Sequence, residues 1–97
     1  MLELRLTEAA DADLVTIAEY TIERHGLKQA RVYAEGLFRA LTLLTENPQL
    51  GSDQGHIRAD TRRLVYESHA IYYELGDTDI VVLRVLGPGQ DPMHQFQ

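Results

Sequence analysis

The spacing of apolar residues divides the first half of the chain into one strand and two helices. Residues 2–6 (LELRL) alternate apolar and charged side chains, which predicts a short strand with its three leucines facing inward. Residues 8–25 repeat apolar side chains three and four apart, as an amphipathic helix does, between Thr7 as N-cap and Gly26 at the end. The same spacing predicts a second helix from residue 27 or 28 to about residue 46, which Asn47-Pro48 ends. So short a connection predicts an antiparallel helical hairpin.

The second half of the chain changes to a period of two. Residues 49–61 (QLGSDQGHIRADT) are rich in glycine and polar residues and are predicted to be a loop. Strands are predicted at residues 62–66, 69–75 and 79–86, separated by short turns. The order β-α-α-β-β-β predicts an α+β fold in which a helical hairpin packs on one face of a small, mostly antiparallel sheet. Residues 1–97 are interpreted as a single domain.

Alternation along the last two strands assigns their side chains to the two faces of the sheet. In the last strand, Val81, Leu83 and Val85 form an entirely apolar set, which we expect to face the helices. The residues of the preceding strand expected on that same face are Ile71, Tyr73 and Leu75.

The other face of the sheet is expected to be open. A two-residue turn at Glu67-Ser68 places Arg63 across from Tyr72. The side chains expected to share this open face are Arg63, Val65, Tyr72, Val82 and Arg84. Exposed apolar and aromatic groups on one face are more typical of a partner-binding site than of a solvated surface.

The charges argue against a protein that adheres to nucleic acid by itself. The formal net charge is -6, and a net basic surface usually supplies most of the non-specific affinity for DNA or RNA. The basic residues are nevertheless biased, because eight of the nine are arginine and three of these, Arg58, Arg62 and Arg63, fall within six positions. Arginine suits carboxylates and phosphates held by two hydrogen bonds, although a solvated strand entry explains the cluster equally well.

Several classes of chemistry and location are disfavoured by composition. Cysteine is absent and no two of the four histidines are four residues apart, so neither a disulfide nor a metal site is predicted, and no cofactor is expected. No apolar run is long enough to span a membrane, and the acidic start lacks the features of a signal peptide. A cytoplasmic protein without membrane attachment is therefore expected.

The stretch RVLGPGQDP after the last strand lacks the lysine and hydroxyl residue of a phosphate-binding P-loop, and no helical pattern follows it. Pro88 and Gly89 instead fit the central positions of a type II turn.

Metal-free RNA cleavage needs a base, an acid and cations. The residue types present are His69, Glu67, Tyr72, Tyr73, Arg63 and Arg84. The presence of these residue types alone is a weak signal, and His69 and Tyr73 have simpler interpretations as a turn or surface histidine and a core residue. No catalytic residue is therefore predicted.

Four segments together resemble the ParE branch of the RelE/ParE toxins of bacterial type II toxin–antitoxin modules. They are LTEAADADLVTIAEYTIERHG, QARVYAEGLFRALTLLTENPQLG, RRLVYESHAIYYEL and IVVLRVLGPGQDP, and they cover nearly the whole chain. The resemblance implies an α+β toxin of the plasmid-stabilising kind that poisons DNA gyrase without being an enzyme. It also implies neutralisation by a ParD-like antitoxin in a hetero-oligomer, through an antitoxin segment that orders on binding. The residues that we expect to contact the antitoxin are Arg58, Arg62, Arg63, Val65, Tyr72, Val82 and Arg84.

The chain departs from the family pattern directly after the last strand. Relatives commonly carry a histidine and an arginine there, in a pattern similar to L-H-x-R-x-D-P, whereas this chain has Gly87 and Gly89 and keeps Asp91-Pro92. Two alternatives to a gyrase inhibitor stay open: a RelE-like ribosome-dependent mRNA endonuclease, and a toxin fold that has lost toxicity and binds only its antitoxin. The helical hairpin and the C-terminal tail are the candidate gyrase contacts.

Overall fold

Two long helices lie on one face of a five-stranded sheet in the computed structural model, which describes residues 2–96. The elements are β1 (Glu3–Leu6), α1 (Glu8–His25), α2 (Leu27–Glu46), β2 (Ser52–Asp53), β3 (Thr61–Tyr66), β4 (His69–Leu75), β5 (Asp79–Leu86) and α3 (Pro92–Gln95). The predicted α+β class is confirmed. The prediction omitted two short elements: β2 lies within the expected loop, and α3 follows the Gly-Pro-Gly turn.

Local interactions explain where the helical hairpin begins and turns. The Thr7 side chain accepts a hydrogen bond from the Ala10 N–H at 3.0 Å, which caps α1 as predicted. Gly26 separates the helices with a φ of 87°, a conformation that a residue with a Cβ rarely adopts. Within α2, Gly36 allows close contact with the sheet, because an added Cβ would overlap the hydroxyl of Tyr66.

The strands lie in the order β1-β5-β4-β3-β2. β1 runs parallel to β5, and the other neighbouring strands are antiparallel. The predicted register of the β3–β4 hairpin is confirmed, since Tyr66 pairs with His69 and Arg63 with Tyr72. Glu67 begins the two-residue turn with a φ of 52°.

A β-bulge shifts the pairing of the two central strands. Tyr72 pairs with Arg84, but the next residue, Tyr73, pairs with Val82, so Leu83 is an extra residue in β5. The chain just before α1 binds this region, because the Thr7 N–H donates to the Val82 carbonyl at 3.0 Å and the Thr7 hydroxyl to the Leu83 carbonyl at 2.7 Å.

Because of the bulge, part of the predicted assignment of β5 side chains to faces is wrong. Val82 is 0% exposed and packs in the core together with Ile80 and Val85, so it does not lie on the open face. Val81 pairs with Glu74 and is absent from this core. Residues 79–86 contain apolar side chains on both alternations, so their pattern gives no sign of a slip of one residue, and such a slip reverses every side chain beyond it.

The core fills the space between the hairpin and the sheet. Its buried members are Ala10, Leu37, Leu41, Leu44, Ile71, Tyr73, Ile80, Val82 and Val85. Leu2, Leu4, Leu14 and Ile17 pack against them, as predicted. Other apolar residues that the patterns assign to the core are exposed, namely Leu6, Val15, Ile22, Phe38 and Leu75.

Candidate functional site

A groove lies on the face of the sheet that the helical hairpin leaves free. Arg63 and Val65 of β3 and Tyr72 of β4 line its floor, and the turn at residues 87–90 forms one wall. We call this feature, of about 320 Å³, the sheet-face groove. It brings together the RVLGPGQDP stretch and three of the residues predicted from alternation.

Arg63 is the charged residue of the groove floor. Its Nε atom is buried and makes no hydrogen bond to any residue of the described chain. A buried donor without a partner is costly, and a carboxylate acceptor relieves that cost with a charge-assisted bond. Val65, 56% exposed, is two positions along the same strand and adds apolar surface beside it. The pair therefore suits a ligand that carries an acid next to an apolar group.

Arg84 belongs to the same cross-strand row as Arg63 and Tyr72 but is already bound within the chain. Its Nε and Nη2 atoms each donate to Asp13 at 2.8 Å, and its Nη1 donates to Gln95 at 2.9 Å. The hydrogen bond to Asp13 raises the pKa of Arg84. Since this ion pair neutralises the guanidinium, Arg84 holds the site in shape rather than offering it a free charge.

The tail covers the part of the open face next to Arg84. Phe96 packs edge-on against Tyr72 with ring centroids 5.4 Å apart, and Tyr72 is only 2% exposed. Asp91 starts this tail helix by accepting the Met93 N–H at 3.0 Å, with Pro92 at the first helical position. The expectation that Tyr72 is exposed is therefore wrong, because the tail folds back onto it.

The turn that forms the wall has the predicted type II character. The Gln90 N–H donates to the Gly87 carbonyl at 3.2 Å, and Gly89 has a φ of 85° between them. The Gln90 side chain also accepts the Gly87 N–H at 2.7 Å. Both backbone groups of Gly87 and the Gln90 N–H are thus hydrogen-bonded within the turn.

An imidazole stands beside Gly87, although it belongs to β4. A Cβ added at Gly87 would lie 3.4 Å from Cδ2 and Nε2 of His69. Nδ1 of His69 is hydrogen-bonded to the Tyr33 hydroxyl at 2.5 Å. Burial lowers the pKa of His69, and burial also raises the pKa of Tyr33. Both groups are therefore neutral near pH 7, which fits a hydroxyl donating to an unprotonated ring nitrogen.

The remaining predicted residues lie outside the groove. Arg62 donates to the carbonyls of Gly51 at 2.9 Å and Gln49 at 3.2 Å, so it secures its own loop. Arg58 Nη2 lies 4.0 Å from Oε2 of Glu74, so its charge is directed toward that carboxylate. As described above, Val82 is in the core on the other side of the sheet.

The residue types for RNA cleavage do not all meet at one place. Tyr73 lies in the core under the helices, where its hydroxyl accepts the Gly51 N–H at 2.9 Å and donates to the Pro48 carbonyl at 2.7 Å. Arg84 is engaged by Asp13. Among residues 2–96 there is also no group of three side chains arranged to hold a metal ion, and no helix is long and apolar enough to cross a membrane.

Three residues that shape this site were missed from sequence. Asp13 fits the acidic start of a helix, and nothing local indicates that its carboxylate also accepts the Val85 N–H at 2.8 Å. Gln95 and Phe96 lie in a tail without helical periodicity. The Asp91-Pro92 pair, which is a typical helix start, was the available signal for the tail helix.

Comparison with known proteins agrees with this architecture. The family described as "ParE toxin of type II toxin-antitoxin system, parDE" matches residues 4–92. Toxin ParE1 of Caulobacter vibrioides is 35% identical over 82 residues, which cover 84% of each chain. Toxin ParE1 of Mycobacterium tuberculosis is 36% identical over 87 residues, which cover 89% of each chain. A solved chain titled "Chromosomal ParDE TA system from P. aeruginosa" has the same fold, with a TM-score of 0.78 at 20% identity, covering 90% of this chain and 96% of that one.

Proposed function

This chain belongs to the ParE toxin family of type II toxin–antitoxin systems, and from that premise we propose that it inhibits DNA gyrase by binding and is neutralised by a ParD-like antitoxin. The antitoxin contacts the sheet-face groove and forms a hetero-oligomer with the toxin. A cytoplasmic location follows, because gyrase acts there.

The observation that carries the antitoxin site is the buried Nε of Arg63, which has no hydrogen-bond partner among residues 2–96 and lies beside exposed Val65. An antitoxin segment with an acidic and an apolar side chain satisfies both features when it orders along the groove. Tyr72 forms part of the groove floor, and Arg84, its cross-strand neighbour, is held in place by Asp13. Arg58, Arg62 and Val82 are not part of this proposed contact. Arg58 lies near Glu74, Arg62 is hydrogen-bonded to the Gly51 carbonyl, and Val82 is buried in the core.

Arg63→Ala tests the antitoxin site. With a ParD-like antitoxin, isothermal calorimetry should show affinity at least tenfold weaker, because truncating one partner of a buried charge pair costs ~2–5 kcal/mol. Arg39→Ala is the matched control, since Arg39 is exposed on α2 at the other side of the sheet and should leave affinity unchanged. A double-mutant cycle that finds no coupling between Arg63 and any antitoxin carboxylate rejects this site.

Gyrase inhibition is supported by family membership, and the dispersal of the RNA-cleavage residue types favours a toxin that acts by binding. The test is a gyrase supercoiling assay with purified protein. Inhibition together with accumulated cleaved DNA complex is expected. Full supercoiling and no cleaved complex at concentrations of about 10 µM, well above the dissociation constant expected of a specific toxin, would count against this proposal.

A ribosome-dependent mRNA endonuclease is the second candidate, because His69 places a neutral imidazole at the edge of the groove that contains Arg63. Toeprinting of a translated message should then show cuts in the ribosomal A site that Arg63→Ala reduces. Normal growth after induction of the chain without antitoxin would contradict both toxic functions and favour a fold that binds only its antitoxin.

A further inference from the structure

A second cavity, of about 680 Å³, lies where the end of the helical hairpin near Gly26 approaches the β3–β4 turn. Its volume is that of a small-ligand pocket, for which about 300–1,000 Å³ is usual. The side chains that give it its character are Tyr20 of α1, Gln29 and Tyr33 of α2, and Tyr66, Glu67 and Ser68 of the β3–β4 hairpin. We call this cavity the tyrosine pocket.

The aromatic walls of the tyrosine pocket are held in place before any ligand binds. The rings of Tyr33 and Tyr66 have centroids 5.5 Å apart and planes inclined by 58°, and the hydrogen bond between the Tyr33 hydroxyl and His69 fixes the first of them. Tyr20 is 55% exposed, and the guanidinium carbon of Arg24 lies 5.0 Å from its ring centroid. The electron-rich faces of tyrosine rings attract cations, so the chain already shows this contact at the edge of the pocket.

The charge that lines the tyrosine pocket is negative. Glu67 is exposed there and forms no ion pair with any residue between 2 and 96, and within the same range no arginine or lysine lines the pocket. Burial is the main cause of the raised pKa of Tyr33, and the negative charge of Glu67 adds to it, which indicates that the carboxylate lies near this ring. Two histidines, His25 and His69, also line the pocket, and burial keeps His69 neutral by lowering its pKa. The bases on the neighbouring helix turns, which do not line the pocket, are Arg24, Lys28 and Arg31.

The backbone of Glu67 is a second observation that points to a ligand for its carboxylate. Its φ is 52°, in the left-handed region that glycine adopts without cost and other residues rarely adopt. The turn itself therefore favours glycine at this position and gives no reason for an acid. Backbone strain of this kind is concentrated at ligand-binding sites, where the side chain has a role that offsets it.

We propose that the tyrosine pocket receives an arginine side chain of the antitoxin segment that occupies the sheet-face groove. A guanidinium is planar, so it stacks on a tyrosine face while two of its N–H groups pair with the Glu67 carboxylate. The side-chain oxygens of Gln29 and Ser68 line the same pocket and can accept its remaining N–H groups. A lysine ammonium is a compact, strongly hydrated charge and does not stack in this way.

The tyrosine pocket is continuous with the sheet-face groove, because Glu67, Ser68 and His69 line both. Arg63 precedes Glu67 by four residues, which at ~3.3 Å per residue is up to about 13 Å along β3 and its turn. An extended antitoxin segment should therefore carry its arginine about four residues from the acid that pairs with Arg63. This inference rests on the proposed antitoxin site and adds a second anchor to it.

Titration of the isolated chain with N-acetyl-arginine amide, followed by NMR at pH 8 where imidazole groups are ordinarily neutral, tests the pocket without any antitoxin. The ring signals of Tyr20, Tyr33 and Tyr66 should shift with a dissociation constant on the order of 1–10 mM. Those of Tyr72 and Tyr73, which lie outside the pocket, should not move. N-acetyl-citrulline amide, which has the same shape without the charge, should bind at least tenfold more weakly.

Glu67→Gln should weaken binding of N-acetyl-arginine amide about fivefold, because it removes the carboxylate and keeps the shape of the side chain. Glu23→Gln is the matched control, since Glu23 is an exposed acid of α1 that does not line the pocket. Absence of shifts, equal binding of the citrulline compound, or an unchanged constant for Glu67→Gln overturns the proposal. Tighter binding of AMP or of spermidine also overturns it, in favour of an anion site or a free polyamine site.

Calorimetry with a ParD-like antitoxin tests the source of the arginine. Glu67→Gln should weaken antitoxin binding about fivefold, and replacing the matching antitoxin arginine by glutamine should make the Glu67→Gln change silent. Affinity that falls with Arg63→Ala but not with Glu67→Gln overturns the arginine proposal and leaves the antitoxin site in place. Affinity that falls with Glu67→Gln but not with Arg63→Ala supports the tyrosine pocket and rejects the contact proposed at Arg63.

Discussion

Asp13→Ala should destabilise the fold by about 3 kcal/mol, because three hydrogen bonds end on this carboxylate. Arg84 supplies two, at 2.8 Å each, and the Val85 N–H supplies the third at 2.8 Å. The side chains of Arg84 and Asp13 are 18% and 11% exposed, respectively, so truncation of Asp13 leaves the mostly buried guanidinium of Arg84 without its counter-ion. Breaking a buried pair costs ~3–5 kcal/mol, and the residual exposure of this one favours the lower end.

Urea unfolding followed by circular dichroism measures this loss, which is a large share of the ~5–15 kcal/mol that stabilises a typical domain. The melting temperature should fall by roughly 12–24 °C. Asp11→Ala is the matched control, because Asp11 is an exposed acid of the same helix start and should cost about 0.5 kcal/mol.

A double-mutant cycle separates the ion pair from other effects of the Asp13 truncation. The double variant Asp13→Ala/Arg84→Met should lose less unfolding free energy than the sum of the two single variants, by about 1.5 kcal/mol or more. The reason is that Arg84→Met removes the charge that Asp13→Ala leaves without a partner. Additive losses, or an Asp13→Ala effect as small as that of Asp11→Ala, would refute the reasoning.

Further expectations concern single positions. Tyr73→Phe should lower the unfolding free energy by about 1–3 kcal/mol in urea titrations, because its buried hydroxyl satisfies one backbone N–H and one carbonyl; an unchanged midpoint contradicts this. Gly89→Ala should cost ~1 kcal/mol because its φ is 85°, whereas Gly87→Ala should cost less, and equal midpoints would argue against the turn. The lowered pKa of His69 means that the unfolded chain binds the proton more readily, so stability should fall as the pH drops below 6.5 and level off below the folded-state pKa. His69→Gln should remove that part of the pH dependence, and identical pH profiles would contradict the assignment.

The site was only partly predictable from sequence. Arg63, Val65 and Tyr72 emerge from strand alternation and a two-residue turn, both of which are local. Asp13 and Arg84 are far apart in the chain, and their contact depends on how α1 lies against β5. Phe96 also depends on tertiary structure, because nothing in the sequence around it indicates that its ring packs on Tyr72.

The sequence by itself determined the order of β1, α1, α2, β3, β4 and β5, the ends of the two long helices, the β3–β4 register and the type II turn. These features depend on neighbouring residues: apolar spacing, the Thr7 cap, the Pro-Gly pair and the length of the β3–β4 turn. Only the tertiary structure decided which face of β5 enters the core and which residues stay on the surface. With apolar side chains on both alternations, the strand pattern is compatible with either face, and the bulge at Leu83 selects one through contacts with β4 and the chain before α1.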